Sequence, residues 1–194
     1  MTRYAALLRG VNVGRGPRVS LAAFQALLTG LGFSDVKTLL NSGNAVFSAP
    51  RTEPAALAVR IGDALLNELG TAVTVIVVTG DALSKAAAGS PFVAADPSRL
   101  LVAFAQDRAA LRHLEPSLRA ALRPPDEFAL GPVAAYLHCP DGIARSKAAE
   151  ALLGRLGRGV TTRNLATTRK LTLLATVSTG DSARRANAGG ESRK

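Results

Sequence analysis

Three short stretches of this 194-residue sequence carry side chains whose types and spacing could do chemistry. The first is Gly10-Val11-Asn12-Val13-Gly14-Arg15-Gly16, with Arg9 before it and Arg18 just after; no Asp or Glu occurs until Asp35. The second is Ser42-Gly43-Asn44, and the third is Thr161-Thr162-Arg163-Asn164. Glycine lets a ligand approach the backbone closely, and guanidinium, amide and hydroxyl groups all donate hydrogen bonds. Together they offer recognition of an anion such as a phosphate or carboxylate. Each stretch also has a structural reading. Gly14, Gly16 and Ser42-Gly43-Asn44 serve turns, Arg9 reads equally as one half-buried structural arginine, and Thr162 or Asn164 can cap the helix that follows. Arg145 and Lys147 open another helix against its dipole, which a solvated face explains.

Reaction chemistry is not legible. The loop lacks the third glycine of a dinucleotide fingerprint, and no Gly-Lys-Ser/Thr segment makes a phosphate-binding P-loop. His113 and His138 have no metal-ligand spacing, so no metal or cofactor is expected. His138 and Cys139 are adjacent on an expected strand and so point to opposite faces, which assigns Cys139 a structural role. The acids are scattered, and catalytic residues remain unknown.

The elements that must position these stretches follow from periodicity. Tyr4–Val11 is a continuous apolar run, broken only by Arg9 and Gly10, and reads as a buried strand. Ser20 caps a helix over Leu21–Leu31, whose Leu21, Phe24, Leu27, Leu28 and Leu31 form one apolar stripe. Val36–Leu40 and Ala45–Ser48 are strands joined by the hairpin Asn41-Ser42-Gly43-Asn44. Thr52–Leu69 is a second amphipathic helix, and Val73–Val78 is a β-branched strand. The order β-α-β-β-α-β is the ferredoxin-like one, and it places the first loop and the hairpin at the same end. Asp81–Ala88 reads as a short helix. The order then recurs: strand Leu100–Ala105, helix Arg108–Leu122, strands Glu127–Leu130 and Val133–His138, helix Arg145–Leu156 and a short strand near Val160. Leu165–Val177 is an additional helix. The expected class is α+β, with two tandem ferredoxin-like halves (1–80 and 99–180, the second including the C-terminal helix), a connector at 81–98 and a disordered tail at 181–194.

Composition narrows the class. Apolar residues make up 47% and charged ones 20%, values of an ordered globular chain. The net charge of +10 and a pI near 11.0 invite an anionic partner. Nineteen of the 24 cations are Arg, which a coding bias also explains. The excess gathers in two places, +4 in residues 1–20 and +5 in residues 141–180. One cysteine excludes a disulfide framework and points to the cytoplasm. No apolar run reaches the roughly 18–20 residues of a membrane span, and no signal peptide is evident. With no Trp, six Phe and two Tyr, a base-stacking nucleic-acid surface is the less favoured reading.

The blocks Tyr4-Ala5-Ala6-Leu7-Leu8-Arg9-Gly10-Val11-Asn12-Val13-Gly14, Ser42-Gly43-Asn44, Pro91-Phe92, Thr161-Thr162-Arg163-Asn164, Thr167 and Lys170-Leu171 resemble, in order, the bacterial family of domain of unknown function number 1697. The resemblance runs from Arg3 to Val177 and implies an α+β fold with two ferredoxin-like halves. It implies no activity. Carried over by position, the site residues are Arg9, Gly10, Asn12, Gly14, Ser42, Gly43, Asn44, Arg163 and Asn164. The family usually has glycine where Arg15 stands and Trp-Asn where Leu165-Ala166 stand, so the loop is the more secure part of the site. The expected function is binding of a small anionic ligand or nucleotide. The alternatives are an enzyme acting on a phosphate ester, a nucleic-acid binder, and an interaction protein with no small ligand; oligomeric state is unassigned.

Overall fold

The computed structural model of the chain describes residues 1–14 and 16–176. The tail expected at 181–194 lies outside the described residues, as does Arg15. In chain order the elements are β1 (Thr2–Leu8), α1 (Leu21–Gly30), β2 (Ser34–Thr38), β3 (Asn44–Ala49), α2 (Pro54–Leu69), β4 (Val75–Thr79), α3 (Gly80–Ala88), β5 (Leu100–Ala105), α4 (Arg108–Ala121), β6 (Glu127–Leu130), β7 (Ala135–His138), α5 (Lys147–Leu153), β8 (Val160–Asn164) and α6 (Leu165–Thr176). The protein is α+β, with two four-stranded sheets ordered β2-β3-β1-β4 and β6-β7-β5-β8. Every neighbouring pair in both is antiparallel.

Each central strand is buried on both faces, which is why it reads as an unbroken apolar run. Tyr4, Ala6 and Leu8 of β1 pack with α1 and α2, through Phe24, Leu28, Ile61 and Leu65. Ala5 and Leu7, from the opposite face of the same strand, join Leu100, Val102 and Phe104 of β5 in a cluster shared by the two sheets. The other face of β5, Leu101 and Ala103, packs with Leu111, Leu118 and Leu152 of α4 and α5. The shared cluster also takes Leu83 and Ala86 of α3 and Leu165, Leu171 and Ala175 of α6. The helix inside segment 81–98 is therefore part of the core and not a loose strap. No described helix is long and apolar enough to cross a membrane.

Several boundaries differ from the sequence reading, each for a local reason. β1 stops at Leu8 and not Val11, because Gly10 and Asn12 take positive φ and turn the chain out of the sheet. The helix expected over Arg145–Leu156 is split: Ser146 is extended, its hydroxyl accepts from Ala149 N–H, and α5 spans only Lys147–Leu153 before Gly154 ends it. The strand near Val160 runs through Asn164, so Thr161-Thr162-Arg163 lie on β8 and not in a loop before a helix. Gly32 and Gly70 follow α1 and α2 with φ of +78° and +61°, as left-handed helix ends require.

Candidate functional site

The loop after β1 and the β2–β3 hairpin do meet at one end of the first sheet. Leu8 N–H donates to Gly43 O at 2.8 Å, and Asn12 Nδ2 donates to Asn41 O at 2.7 Å. Asn12 also binds both backbone groups of Val19, donating to its carbonyl and accepting from its N–H. That side chain closes the loop on itself and ties it to the hairpin, at a φ of +58° that asparagine tolerates. Gly43 has φ +68°, and a Cβ there would sit 2.5 Å from Val11 Cγ2 and 2.6 Å from Leu8 Cβ. Only glycine allows the hairpin to lie this close to the end of β1.

Arg163 reaches this junction from β8, opposite Val102 of β5. It is 7% exposed. Its Nε donates to Asn44 Oδ1, its Nη1 to Thr161 Oγ1 and Thr162 O, and its Nη2 to Leu8 O and Ser42 O, with Gly43 O at 3.3 Å. All five N–H donors of the guanidinium are thus engaged within the protein. Asn44, fully buried, completes the knot by donating to Leu39 O and Ser42 Oγ. Arg9 makes the reverse crossing. From the end of β1 it donates to Val160 O at 2.7 Å, Gly154 O at 2.8 Å and Leu153 O at 3.0 Å, all belonging to the second sheet and its helix.

Neither arginine has a carboxylate within ion-pair distance among the described residues. Burial pushes the Arg163 pKa down to about 10, and lowers that of Arg9 too. Desolvation disfavours the charged form in both, and carbonyl dipoles stand where a counter-ion would. Arg163 stays well above neutrality, so it is a cation at physiological pH.

A cleft of about 440 Å³ opens beside this junction, lined by Leu8, Arg9, Gly10, Val11, Val13, Ser42, Leu153, Thr161, Thr162 and Arg163. Arg9, Gly10, Ser42 and Arg163 are brought together there. Asn12, Gly43 and Asn44 lie behind the lining as supports. Gly14, further along the loop, is exposed and does not line the cleft. Asn164 faces elsewhere: its Oδ1 accepts from Thr167 N–H at 2.8 Å and caps α6. Arg163 lies on β8, where strand pairing turns its donors toward protein acceptors. The sequence reading missed Leu153, Gly154 and Val160 as partners of Arg9. They act through carbonyls, which carry no side-chain signal. No described group of three or more His, Cys, Asp and Glu side chains could hold a metal ion.

The solved structure of the conserved bacterial protein SP0830 from Streptococcus pneumoniae shares this fold, with a TM-score of 0.76 over 90% of this chain and 99% of that one. At 21% identity the likeness is one of fold. No curated protein matches the chain. The family model described as "Protein of unknown function (DUF1697)" matches residues 1–136, which hold the loop, the hairpin and Pro91-Phe92, while the Thr161–Asn164 block lies beyond the match. A match over most of the chain, carrying the loop and hairpin that build one side of the cleft, establishes that the chain belongs to the DUF1697 family.

Proposed function

We propose that the chain binds a small anionic ligand, bearing a phosphate or a carboxylate, in the cleft between the loop after β1 and β8. The carrying observation is that two guanidinium groups, Arg9 and Arg163, line one cleft with no carboxylate paired to either among the described residues. Uncompensated charge in a partly desolvated cleft raises the local potential and draws an anion. No His, Asp, Glu or Lys lines the cleft, so it offers no general base, and the reading is binding and not turnover. The aromatic residues Tyr4, Phe24, Phe47, Phe104 and Tyr136 are buried, which supports a small ligand over nucleic acid.

The same reading takes the two sheets as two ferredoxin-like halves of one cytoplasmic protein. The matching orders β2-β3-β1-β4 and β6-β7-β5-β8 support the first part, and a single buried cysteine supports the second. The test is thermal unfolding at pH 7 with phosphate, sulfate, acetate and mononucleotides, at ionic strength matched with sodium chloride. A ligand at a hundred times its Kd adds about 2.7 kcal/mol, a rise of roughly 5–11 °C for a chain of this size. No rise above the chloride control with any of these anions refutes the proposal.

A further inference from the structure

Arg163 lines the cleft but has no N–H left to give a ligand, since all five donate within the protein. Besides its charge, its influence on anything in the cleft runs through the groups it donates to, and two of those are side chains. One is Thr161, whose hydroxyl accepts from Nη1 and donates on to Leu8 O, so that relay ends inside the protein. The other is Asn44, whose Oδ1 accepts from Nε and whose Nδ2 donates to Ser42 Oγ at 2.9 Å. Ser42 is half-buried and lines the cleft, and its hydroxyl proton has no acceptor among the described residues. The direction of this second relay is fixed. A guanidinium only donates and a carbonyl only accepts. Arg163 Nε therefore demands the oxygen of the Asn44 amide, and Leu39 O, 2.9 Å from Nδ2, demands its nitrogen. The amide is fully buried and cannot flip without breaking both bonds. Facing Nδ2, Ser42 Oγ can only accept, and its own O–H points away from Asn44.

The fold does not require this relay, because the corner of the second sheet that corresponds by register is built without it. Leu8, the last residue of β1, stands opposite Val75 of β4, and Ala105, the last residue of β5, stands opposite Val160 of β8. Counting along the strands, Val78 stands where Arg163 does, and the residues after them, Thr79 and Asn164, each cap the helix that follows. In the hairpins Leu39 N–H donates to Asn44 O and Gly131 N–H to Ala134 O, so Ala134 takes the place of Asn44. Valine and alanine close that corner. A buried cation carries a desolvation cost that such a pair avoids, so the arginine and its amide in the first corner point to a task in the cleft.

We infer that the Ser42 hydroxyl donates to an oxygen of the anionic ligand, carboxylate or phosphoryl, and is held as a donor by the relay from Arg163 Nε through the Asn44 amide. This rests on the anion reading of the cleft and assigns it a contact atom. Hydrogen bonds linked head to tail polarise one another, so a hydroxyl at the end of a relay that begins on a cation is a stronger donor than an isolated serine. Arg163 and Asn44 are positioning residues, since they act on the ligand through Ser42.

The experiment titrates 15N-labelled full-length protein, as wild type, Ser42→Ala and Ser42→Thr, with inorganic phosphate and separately with acetate at constant ionic strength. Affinity and the side-chain Nδ2 resonances of Asn44 are followed together. In Ser42→Ala, Leu39 O still holds Asn44 Nδ2, so the junction is kept. For whichever anion the wild type binds more tightly, Ser42→Ala is expected to bind about 10–100-fold more weakly, the loss of one hydrogen bond to a charged group. Ser42→Thr keeps the hydroxyl and stays within about threefold of the wild type. The Asn44 signals move saturably with the anion in the wild type and in Ser42→Thr, because polarisation passes along the relay; in Ser42→Ala they do not follow whatever binding remains. Three results each overturn the assignment and leave the anion cleft standing: Ser42→Ala binding as tightly as the wild type, Ser42→Thr binding as weakly as Ser42→Ala, or Asn44 signals that stay still at wild-type saturation. No saturable binding of either anion by the wild type overturns both this inference and the reading beneath it.

Discussion

Replacing Arg163 by methionine removes the donor that joins β8 to the end of β1 and the hairpin, and the cost follows from what is left behind. Leu8 O keeps the Thr161 hydroxyl, and Gly43 O keeps the Leu8 N–H. Asn44 Oδ1 loses its donor in a fully buried position. Ser42 O and Thr162 O lose theirs at part-buried positions that water can reach. One orphaned buried acceptor costs about 1–3 kcal/mol and each wetted bond about 0.5–1 kcal/mol, while the desolvation of the buried cation is recovered. The expected loss is about 3 kcal/mol, or a fall of roughly 6–12 °C in Tm. Arg163→Lys also loses most of this, because an ammonium has three donors and cannot span acceptors on three segments. The assay is urea unfolding of the wild type, Arg163→Met, Asn44→Ala and the double variant. If the Nε–Asn44 bond stabilises as argued, the double variant loses less than the sum of the singles by about 1 kcal/mol or more. A loss below about 1 kcal/mol for Arg163→Met, or strict additivity, refutes the view that this guanidinium organises the junction.

Arg9→Ala gives up three bonds to carbonyls of the second sheet and its helix at a half-buried position, and is expected to cost about 1–2 kcal/mol in chemical unfolding while weakening phosphate binding. Gly43→Ala and Gly14→Ala separate sterics from backbone preference. Both have positive φ, but only position 43 has atoms within 2.6 Å of the new Cβ, so Gly43→Ala is expected to lose about 3 kcal/mol and Gly14→Ala about 1 kcal/mol in the same assay. Gln106 clasps the outer edge of β4, accepting from Val77 N–H and donating to Val77 O; Gln106→Ala is expected to lose about 1 kcal/mol and to speed hydrogen exchange at Val77. Cys139 is fully buried and burial pushes its thiol pKa up, so a disulfide reagent at pH 8 is expected to modify it only after denaturation; rapid labelling of the folded protein contradicts the burial.

What the sequence made legible was set by side-chain periodicity. β1, β4 and β5 are apolar on both faces, and α1 and α2 carry one stripe each, so type and order could be read from them. Elements governed by the backbone could not. β1 ends at Leu8, three residues short of the expected end at Val11, because positive φ at Gly10 and Asn12 overrides the hydrophobicity of Val11. Ser146 divides one apolar-periodic stretch into a short turn and α5, since a buried hydroxyl capping an N–H outweighs helical propensity. At the site, the convergence of loop and hairpin was legible from strand direction alone. The role of Arg163 was not, because its direction depends on the pairing of β8 with β5, a contact between residues about sixty positions apart in the chain.

The two charge-rich segments of the sequence are the two that meet at the cleft, and that bears on why the chain is so basic. Elsewhere, among the described residues, five Arg and Lys side chains pair with carboxylates: Arg3 with Asp35, Lys85 with Asp81, Arg99 with Asp96, Arg119 with Glu115 and Lys147 with Glu150. At the cleft, Arg9 and Arg163 are paired with carbonyls and one amide oxygen instead. A coding bias toward arginine fills exposed positions, where the exchange costs little. It does not explain a guanidinium at 7% exposure with five donors spent and no carboxylate beside it. An aspartate at Asn44 would be close to isosteric and would neutralise Arg163 directly. The amide there satisfies the same Nε bond and also donates to Leu39 O and Ser42 Oγ, which a buried carboxylate could not do, so the junction is closed with the positive charge of Arg163 left standing.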